Sequence, residues 1–514
     1  MQTIFKSSFT VGFFTLISRI FGFVRDILIA KFLGTGMASD AFFGAFKIPN
    51  FFRKIFAEGA FNSAFIPIFS SGIAKKENIE MKMFARNIFS ILFYSLLIIV
   101  LLAEIFMPYL IKVILPGFNS DPEKLELAIN LAKITFPYLF FISLVSMMGG
   151  VLNSLNKFAA VSAYPIILNL TFIFALLFLR SVHSNTAYVL SYAVFVGGIL
   201  QFLWILYFTI KQKIFLYPVY PIRFGVNIKL FFNKFFHGCL GSGIIQLNSM
   251  VDTIIATIIP GAVSYLYYGD RLIQFPLAII ATAIGVAILP TLSKLIEKEQ
   301  FQKANKTTEN ALFAVLFLST PMVFGIFYFS ELIVSVLFQR GMFTNADVTA
   351  VSDILKIYAF ALPLFMLIKI LQPSFFARKD TKTPMMISLV CLTTNVVLNL
   401  ILIRIFSYRG IAIATVISSL LNVVIMSVIL TKRKMFSFEE YFEIKILKII
   451  YCSVLMFIVV LFVDRLFNNF VVLNSLFLYK ILLLITVGLA GLISYLFLTK
   501  KLGLIKIKRM RLEE

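Results

Sequence analysis

Long apolar runs separated by short polar breaks organise the chain. A helix needs about 20 apolar residues to cross a bilayer, and nearly every charge-free stretch here is long enough. Breaking the pattern at charge, proline and glycine predicts about fourteen helical spans. They cover 9–33, 38–69, 83–114, 129–156, 159–180, 186–211, 232–260, 263–296, 306–337, 348–377, 383–404, 409–433, 442–466 and 474–499. The expected fold class is therefore an all-α polytopic membrane protein.

Charge in the connectors sets the orientation. Alternate connectors are basic: Lys75, Lys76, Lys82 and Arg86; Lys211, Lys213, Arg223, Lys229 and Lys234; Lys294, Lys298, Lys303 and Lys306; Arg378, Lys379 and Lys382; Lys432, Arg433 and Lys434; and the tail from Lys500 to Arg511. The opposite side carries mostly single basic residues, such as Lys31, Arg180, Arg340 and Arg465. The positive-inside rule puts the basic side, with both termini, in the cytoplasm. That requires an even number of spans, which agrees with the hydropathy reading.

A faint repeat divides the chain. Ala64-Phe65-Ile66-Pro67 lines up with Ala287-Ile288-Leu289-Pro290, and Lys133-Ile134 lines up at the same offset with Lys356-Ile357. Pro116-Gly117-Phe118 falls one residue out of register with Gly341-Met342-Phe343. Each copy holds about six spans, so the halves have the same topology and relate by an axis along the membrane normal. The predicted division is an N-lobe over 1–215, a C-lobe over 216–435, and an appended helix pair with a basic tail over 436–514.

Composition narrows the classes. The 514 residues are 60% hydrophobic and 14% charged, against roughly 25% charged in soluble proteins. Soluble multidomain protein is excluded. The net charge of +23 does not indicate nucleic acid, because the basic residues sit in short connectors instead of on one folded face. Membrane lipids, through anionic headgroups, and the orientation rule account for most of them. Cys239, Cys391 and Cys452 lie apart inside apolar segments and read as small core or lipid-facing residues. His183 and His237 have no Cys or His nearby, so no zinc site is expected. The first apolar run contains Arg19 and Arg25 and lacks a cleavage site, so no removed signal is expected. No connector has room for a catalytic or nucleotide-binding domain, and no phosphate-cradling G-x-x-x-x-G-K-[ST] loop occurs. The chain itself is not expected to hydrolyse ATP, nor to require an ATPase partner.

The candidate chemistry lies in the first two spans. Ser18, Gly22 and Arg25 share one helical stripe, and Arg19, Gly22 and Asp26 form its neighbour. In span two, Lys47, Asn50, Lys54 and Glu58 share a stripe with Arg53 on its flank, beside a kink expected at Pro49. A charge at the bilayer centre costs at least about 2.5–3.5 kcal/mol on insertion scales. Snorkelling and internal pairing account for Asp26 and Lys54, and for Lys47 less firmly. They account poorly for Arg19, Arg25 and Arg53, because carboxylates are too few. The expectation is a water-filled cationic cavity between the two halves, suited to a phosphate-bearing ligand that guanidinium grips through two parallel hydrogen bonds.

Further along, Asp270-Arg271 follows Tyr267-Tyr268-Gly269 in span eight, the counterpart of span two. Arg271 either closes the cavity from the other lobe or pairs with Asp270. Lys369 in span ten reads equally as a site residue and as a snorkelling lysine. Oxygens of Asp252, Asn395 and Asn399 suit a hard monovalent cation, although helix–helix hydrogen bonding is the stronger reading.

These residues resemble the MurJ/MviN family of lipid II flippases, in the superfamily that also holds multidrug exporters and polysaccharide flippases. The resemblance is carried by Ser18-Arg19 through Gly22 to Arg25-Asp26; Ser39-Asp40-Ala41-Phe42-Phe43; Phe46-Lys47-Ile48-Pro49-Asn50; and Arg53-Lys54-Ile55-Phe56-Ala57-Glu58-Gly59-Ala60-Phe61. Pro116-Gly117-Phe118, Ile134-Thr135-Phe136-Pro137-Tyr138, Tyr267-Tyr268-Gly269-Asp270-Arg271-Leu272 and Asp380-Thr381-Lys382-Thr383-Pro384 extend it along nearly the whole chain. It implies two parallel six-helix lobes, the V-shaped exporter fold, plus the extra C-terminal pair with a lipid-tail groove. It implies a multi-pass protein of the bacterial inner membrane. Its substrate would be lipid II, an undecaprenyl-pyrophosphate-linked disaccharide-peptide moved from the cytoplasmic to the periplasmic leaflet. By position, Arg19, Arg25 and Arg53 would bind the diphosphate, Asp40 and Arg271 would line the cavity, and Glu58 would lie near a gate. Lys54 stands where many members have arginine; it keeps the charge and loses the bidentate fork, so it ranks below Arg53.

The expected function is transport by alternating access, biased by the membrane potential or a coupled monovalent cation, with no other cofactor. An exporter of another amphiphile, a polysaccharide lipid or a drug, is the alternative in the same class; a cationic cavity disfavours cationic drugs. A membrane-embedded lipid-phosphate enzyme needs clustered carboxylates or histidines at a membrane surface. Asp121, Glu123 and Glu126 form the only outer acidic cluster and read as a solvated helix start. A scaffold without substrate is disfavoured by the charges inside spans. The oligomeric state is not legible.

Overall fold

The computed structural model describes residues 2–55, 61–222, 225–437, 441–470 and 477–504. Among these, every regular element is helical. The α-helices are α1 (Gln2–Leu33), α2 (Met37–Phe52), α3 (Phe61–Ala74), α4 (Asn78–Ile114), α5 (Pro122–Thr135), α6 (Tyr138–Ser154), α7 (Phe158–Phe178) and α8 (Thr186–Lys211). They continue with α9 (Val226–Ala256), α10 (Ala262–Glu297), α11 (Phe301–Phe338), α12 (Asn345–Phe376), α13 (Lys382–Phe406), α14 (Tyr408–Lys432), α15 (Phe442–Phe470) and α16 (Phe477–Lys501).

Each predicted segment holds helix, and two are divided. Segment 38–69 carries α2 and α3, and α2 widens into a π-turn over 53–55 just after Pro49, where the ring withholds a backbone donor. Segment 129–156 carries α5 and α6, which part at Phe136-Pro137 for the same reason. Among the described residues, eleven helices are long and apolar enough to cross a membrane, with Pro122–Ser154 taken as one. α1, α2, α3 and α9 lie outside that set; α2 and α3 are shorter, at 16 and 14 residues.

The chain forms two compact units: Met1–Ser264 with Arg340–Thr344, and Tyr265–Gln339 with Asn345–Glu514. In the first, α1 packs on α7, α7 and α6 on α8, α2 on α5, and α3 on α6 and α9. Phenylalanine fills this core. Phe61, Phe65 and Phe69 stack down one face of α3 at 5.2 and 5.3 Å between ring centres, and Phe84 and Phe231 close on them. In the second unit α11 packs on α12, α12 and α13 on α14, and the α15–α16 pair on α11. Contacts therefore place α9 with the first unit and α15–α16 with the second. The division at 215, 216 and 435 follows the internal repeat, whereas this one follows packing. The aligned repeat positions lie in α3 and α10 (Pro67, Pro290) and in α5 and α12 (Lys133, Lys356).

Two repeat glycines are explained by close approach. A Cβ on Gly117 would stand 2.2 Å from the Thr257 carbonyl carbon, and the Gly117 N–H donates to Thr257 Oγ1 at 3.0 Å. Gly341 has φ +60°, and a Cβ there would meet the Lys31 carbonyl oxygen at 2.3 Å. Only glycine fits either place without backbone movement.

Candidate functional site

The polar stripe of α1 is built against α7. Arg25 donates from Nε and Nη2 to Asp26 Oδ1 at 3.0 and 2.7 Å, and from Nη1 to Asn169 Oδ1 at 2.9 Å. Its guanidinium lies 5.4 Å from the centre of the Phe172 ring. Asn169 in turn donates to the Ser18 carbonyl at 3.0 Å. Gly22 lies against this amide, and a Cβ there would make an ordinary contact of 3.5 Å with Asn169 Nδ2. Arg25 is 8% exposed and Asp26 3%. Asp26 is paired as expected, but its partner is Arg25, which the charge count had left as an excess cation. Three of its five donors are already held by protein, so Arg25 is a neutralised, positioned group in this structure.

The other cations are more open. Arg19 is exposed on the flank of the stripe. Arg53 is half-buried at the π-turn, where its Nε donates to Asn50 Oδ1 at 3.1 Å and so sits over its own stripe. Lys54 beside it is exposed. Lys47 is half-buried and donates to Ser249 Oγ of α9 at 2.8 Å. Glu58 lies outside the described residues.

Asp40 has a different role from the one expected. Its Oδ2 accepts from Lys124 Nζ at 2.8 Å and from the Gly261 N–H at 2.7 Å. Its Oδ1 accepts from the Ser264 N–H and hydroxyl at 3.0 and 2.6 Å. Asp40 is completely buried, and Ser39 Oγ adds a bond to Ser264 Oγ at 2.8 Å. The Ser39-Asp40 motif thus caps the first turn of α10, where unpaired N–H groups favour a carboxylate. Four protein donors leave its oxygens no face for a ligand, so the expectation that Asp40 lines a cavity is corrected. Lys124 is 6% exposed and lies 4.3 Å from the centre of the Phe118 ring. Asp121 Oδ1 accepts from the Lys124 N–H at 3.1 Å, so the outer acidic cluster is the helix start anticipated for it.

In the second unit, the Arg271 guanidinium lies 4.9 Å from the Tyr267 ring centre, and Gln274 donates to Asp270. Lys369 is exposed between Pro363 and Pro373 of α12. Asn399 Nδ2 donates to Asn395 Oδ1 at 2.9 Å, and Asn395 Nδ2 reaches Ser418 Oγ at 3.5 Å. This is bonding along α13 and to α14, the stronger of the two readings. Asp252 is half-buried in α9, in the first unit. No cluster of three His, Cys, Asp or Glu fit for a metal occurs among the described residues.

Sequence reasoning missed Asn169, Lys124, Ser249 and Ser264. Asn169 had a signal, being a lone amide in the apolar run of α7. Lys124 had none, since it stands among acids in a connector.

A family model described as lipid II flippase MurJ matches residues 29–482. A probable lipid II flippase MurJ of Rhizobium tropici is 38% identical over 436 residues, covering 84% of this chain and 82% of the relative. Its counterpart in Rickettsia prowazekii is 37% identical over 493 residues, 95% of each chain. Among solved structures, lipid II flippase MurJ in an inward closed conformation matches with TM-score 0.80 and 28% identity, over 96% of this chain and 99% of that one. An inward-facing multidrug transporter of the MATE family in the MOP superfamily matches with TM-score 0.66 at 16% identity, over 81% and 94%, which shows a shared fold. The family match runs from the end of α1, past its cationic stripe, through the Asp40 cap, the cations after it and the second unit into α16, and on that extent the chain belongs to the lipid II flippase MurJ family.

Proposed function

We propose that this protein moves lipid II from the inner to the outer leaflet of the bacterial inner membrane by alternating access, with both termini in the cytoplasm. The observation that carries the reading is the family match across 29–482, which takes in Lys47, Arg53 and Lys54. Arg19 and Arg53 are the primary diphosphate ligands, because they remain accessible while carrying charge. A guanidinium meets two phosphate oxygens at once, and two of them match a diphosphate better than ammonium groups do. Arg25, held by Asp26 and Asn169, acts by fixing the α1–α7 packing and adding positive potential. Arg271, Lys47, Lys54 and Lys369 supply secondary charge. The 1–215 and 216–435 lobes alternate access, and the 436–514 pair guides the lipid tail. The protein performs no bond chemistry and needs no ATPase partner. The membrane potential, worth about 2.3 kcal/mol per charge per 100 mV, or a coupled monovalent cation, biases the cycle.

Depletion of the protein followed by a leaflet-specific assay tests this. Lipid II accumulates in the inner leaflet if the reading is right; an unchanged distribution defeats it. Arg19→Ala or Arg53→Ala, at matched membrane levels, abolishes growth of cells that depend on the protein. Full complementation by both variants would remove the diphosphate role.

A further inference from the structure

A groove of about 750 Å³ opens in the first unit where the start of α1 meets the end of α3 and the α6–α7 turn. By the charge pattern this is the cytoplasmic end. Its wall is mixed. Val11 and Phe158 contribute apolar surface, and Ser70, Asn153, Asn156 and Ser162 contribute polar groups. None of the lining residues is charged. The four polar side chains make no hydrogen bond to other described residues.

The groove continues the polar stripe. Val11, Thr15, Ser18, Gly22 and Arg25 follow one another at i, i+4, i+7, i+11 and i+14, a single face of α1. Arg19 stands eight residues beyond Val11, about 12 Å along the helix axis. A ligand whose diphosphate sits at Arg19 can therefore place its next chemical unit in the groove.

We infer that this groove binds the uncharged sugar rings of the lipid-linked substrate. The inference deepens the lipid II reading and rests on it. Amide and hydroxyl groups both donate and accept, as ring hydroxyls and acetamido groups do. An aromatic face and aliphatic side chains suit the apolar face of a sugar. A phospholipid acyl chain would leave four polar groups dry, which is costly. Lys75, Lys76 and Lys157 adjoin the lining in sequence but do not form it, so the wall itself offers a peptide carboxylate no cation. The lining thus selects a neutral polyhydroxylated group over either.

The test uses full-length protein in nanodiscs and two probes, undecaprenyl diphosphate and the same lipid bearing the disaccharide without peptide. Asn153→Leu and Ser162→Leu each fill the groove with hydrocarbon and remove a polar partner. Each binds the disaccharide lipid roughly tenfold more weakly and undecaprenyl diphosphate unchanged. Ser70→Ala, which adds no bulk, shows a smaller loss confined to the same probe. Equal weakening for both probes, or no weakening for either, overturns the groove assignment. Wild-type protein that binds neither probe overturns the substrate reading itself, and the groove assignment with it.

Discussion

At the scale of the residue, burial separates charges that look alike in sequence. Arg19, Arg25 and Arg53 are equivalent by residue type, yet Arg25 is buried against Asp26 and Asn169 while Arg19 is exposed. Neighbouring residues on a helix point about 100° apart and do not face one another. The reach of the arginine side chain is what brings Arg25 and Asp26 together. Asp40 shows the converse, since an acid expected at a cavity is consumed by protein donors. Removing one partner of a buried pair typically costs about 3–5 kcal/mol, because the other charge is stranded. Asp40→Ala is thus expected to lower stability by about that amount, read as thermal unfolding in detergent. The double variant Asp40→Ala with Lys124→Met should recover part of the loss, since no ammonium is then left unpaired. A double variant as unstable as the sum of the single changes would deny the coupling.

At the scale of the element, most helices were legible and their joins were not. Apolar runs located helix in every predicted segment, because a membrane span must be apolar and hydrogen-bonded within itself. The breaks inside 38–69 and 129–156 depend on how Pro49 and Pro137 are accommodated by neighbours. The Asp380-Thr381-Lys382-Thr383-Pro384 motif now has a physical reason. Asp380 accepts from the Thr383 N–H at 2.9 Å and from Arg433 Nη1 at 2.8 Å, which ties the start of α13 to the end of α14. Burial pushes the Asp380 carboxyl up, but the bonds from Thr383 and the Arg433 charge outweigh it and leave the group below its ordinary value. A carboxyl depressed in the folded state stabilises at all pH values above its unfolded pKa of about 3.9, and that contribution fades as pH falls through the folded value. Arg433 is half exposed, so the contribution is about 1 kcal/mol or less. Asp380→Asn should lower the melting temperature slightly near neutrality, by a gap that narrows as pH falls below the ordinary carboxyl range. A gap that persists unchanged at pH 3 would point to a cause other than the carboxylate.

At the scale of the whole molecule, the appended helix pair is tied to its own unit. Cys452, Met456, Val460, Leu483, Val487 and Tyr495 of α15 and α16 form one core with Phe329 of α11. Tyr495 donates its hydroxyl to the Phe317 carbonyl at 2.7 Å, Lys480 donates to Ser335 Oγ at 2.7 Å, and Lys445 pairs with buried Glu309 at 3.3 Å. Truncation after Lys434 strips this cover from α11 and removes the Lys445 ammonium from Glu309. Such a protein is expected to insert and yet to melt lower than the full chain, by several degrees in detergent; an unchanged melting temperature would show the pair to be loosely attached. The sequence by itself determined the membrane class, the helical segments, the orientation rule and the excess of cations in α1 and α2. Each of these follows from local hydropathy and charge, which do not depend on what lies opposite. Tertiary structure alone decided which cations remain accessible, that Asp40 caps α10, and that α9 packs with the first unit. Those outcomes depend on partners such as Asn169, Lys124 and Ser264, distant in sequence, and a buried charge is defined by the partner that folding brings to it.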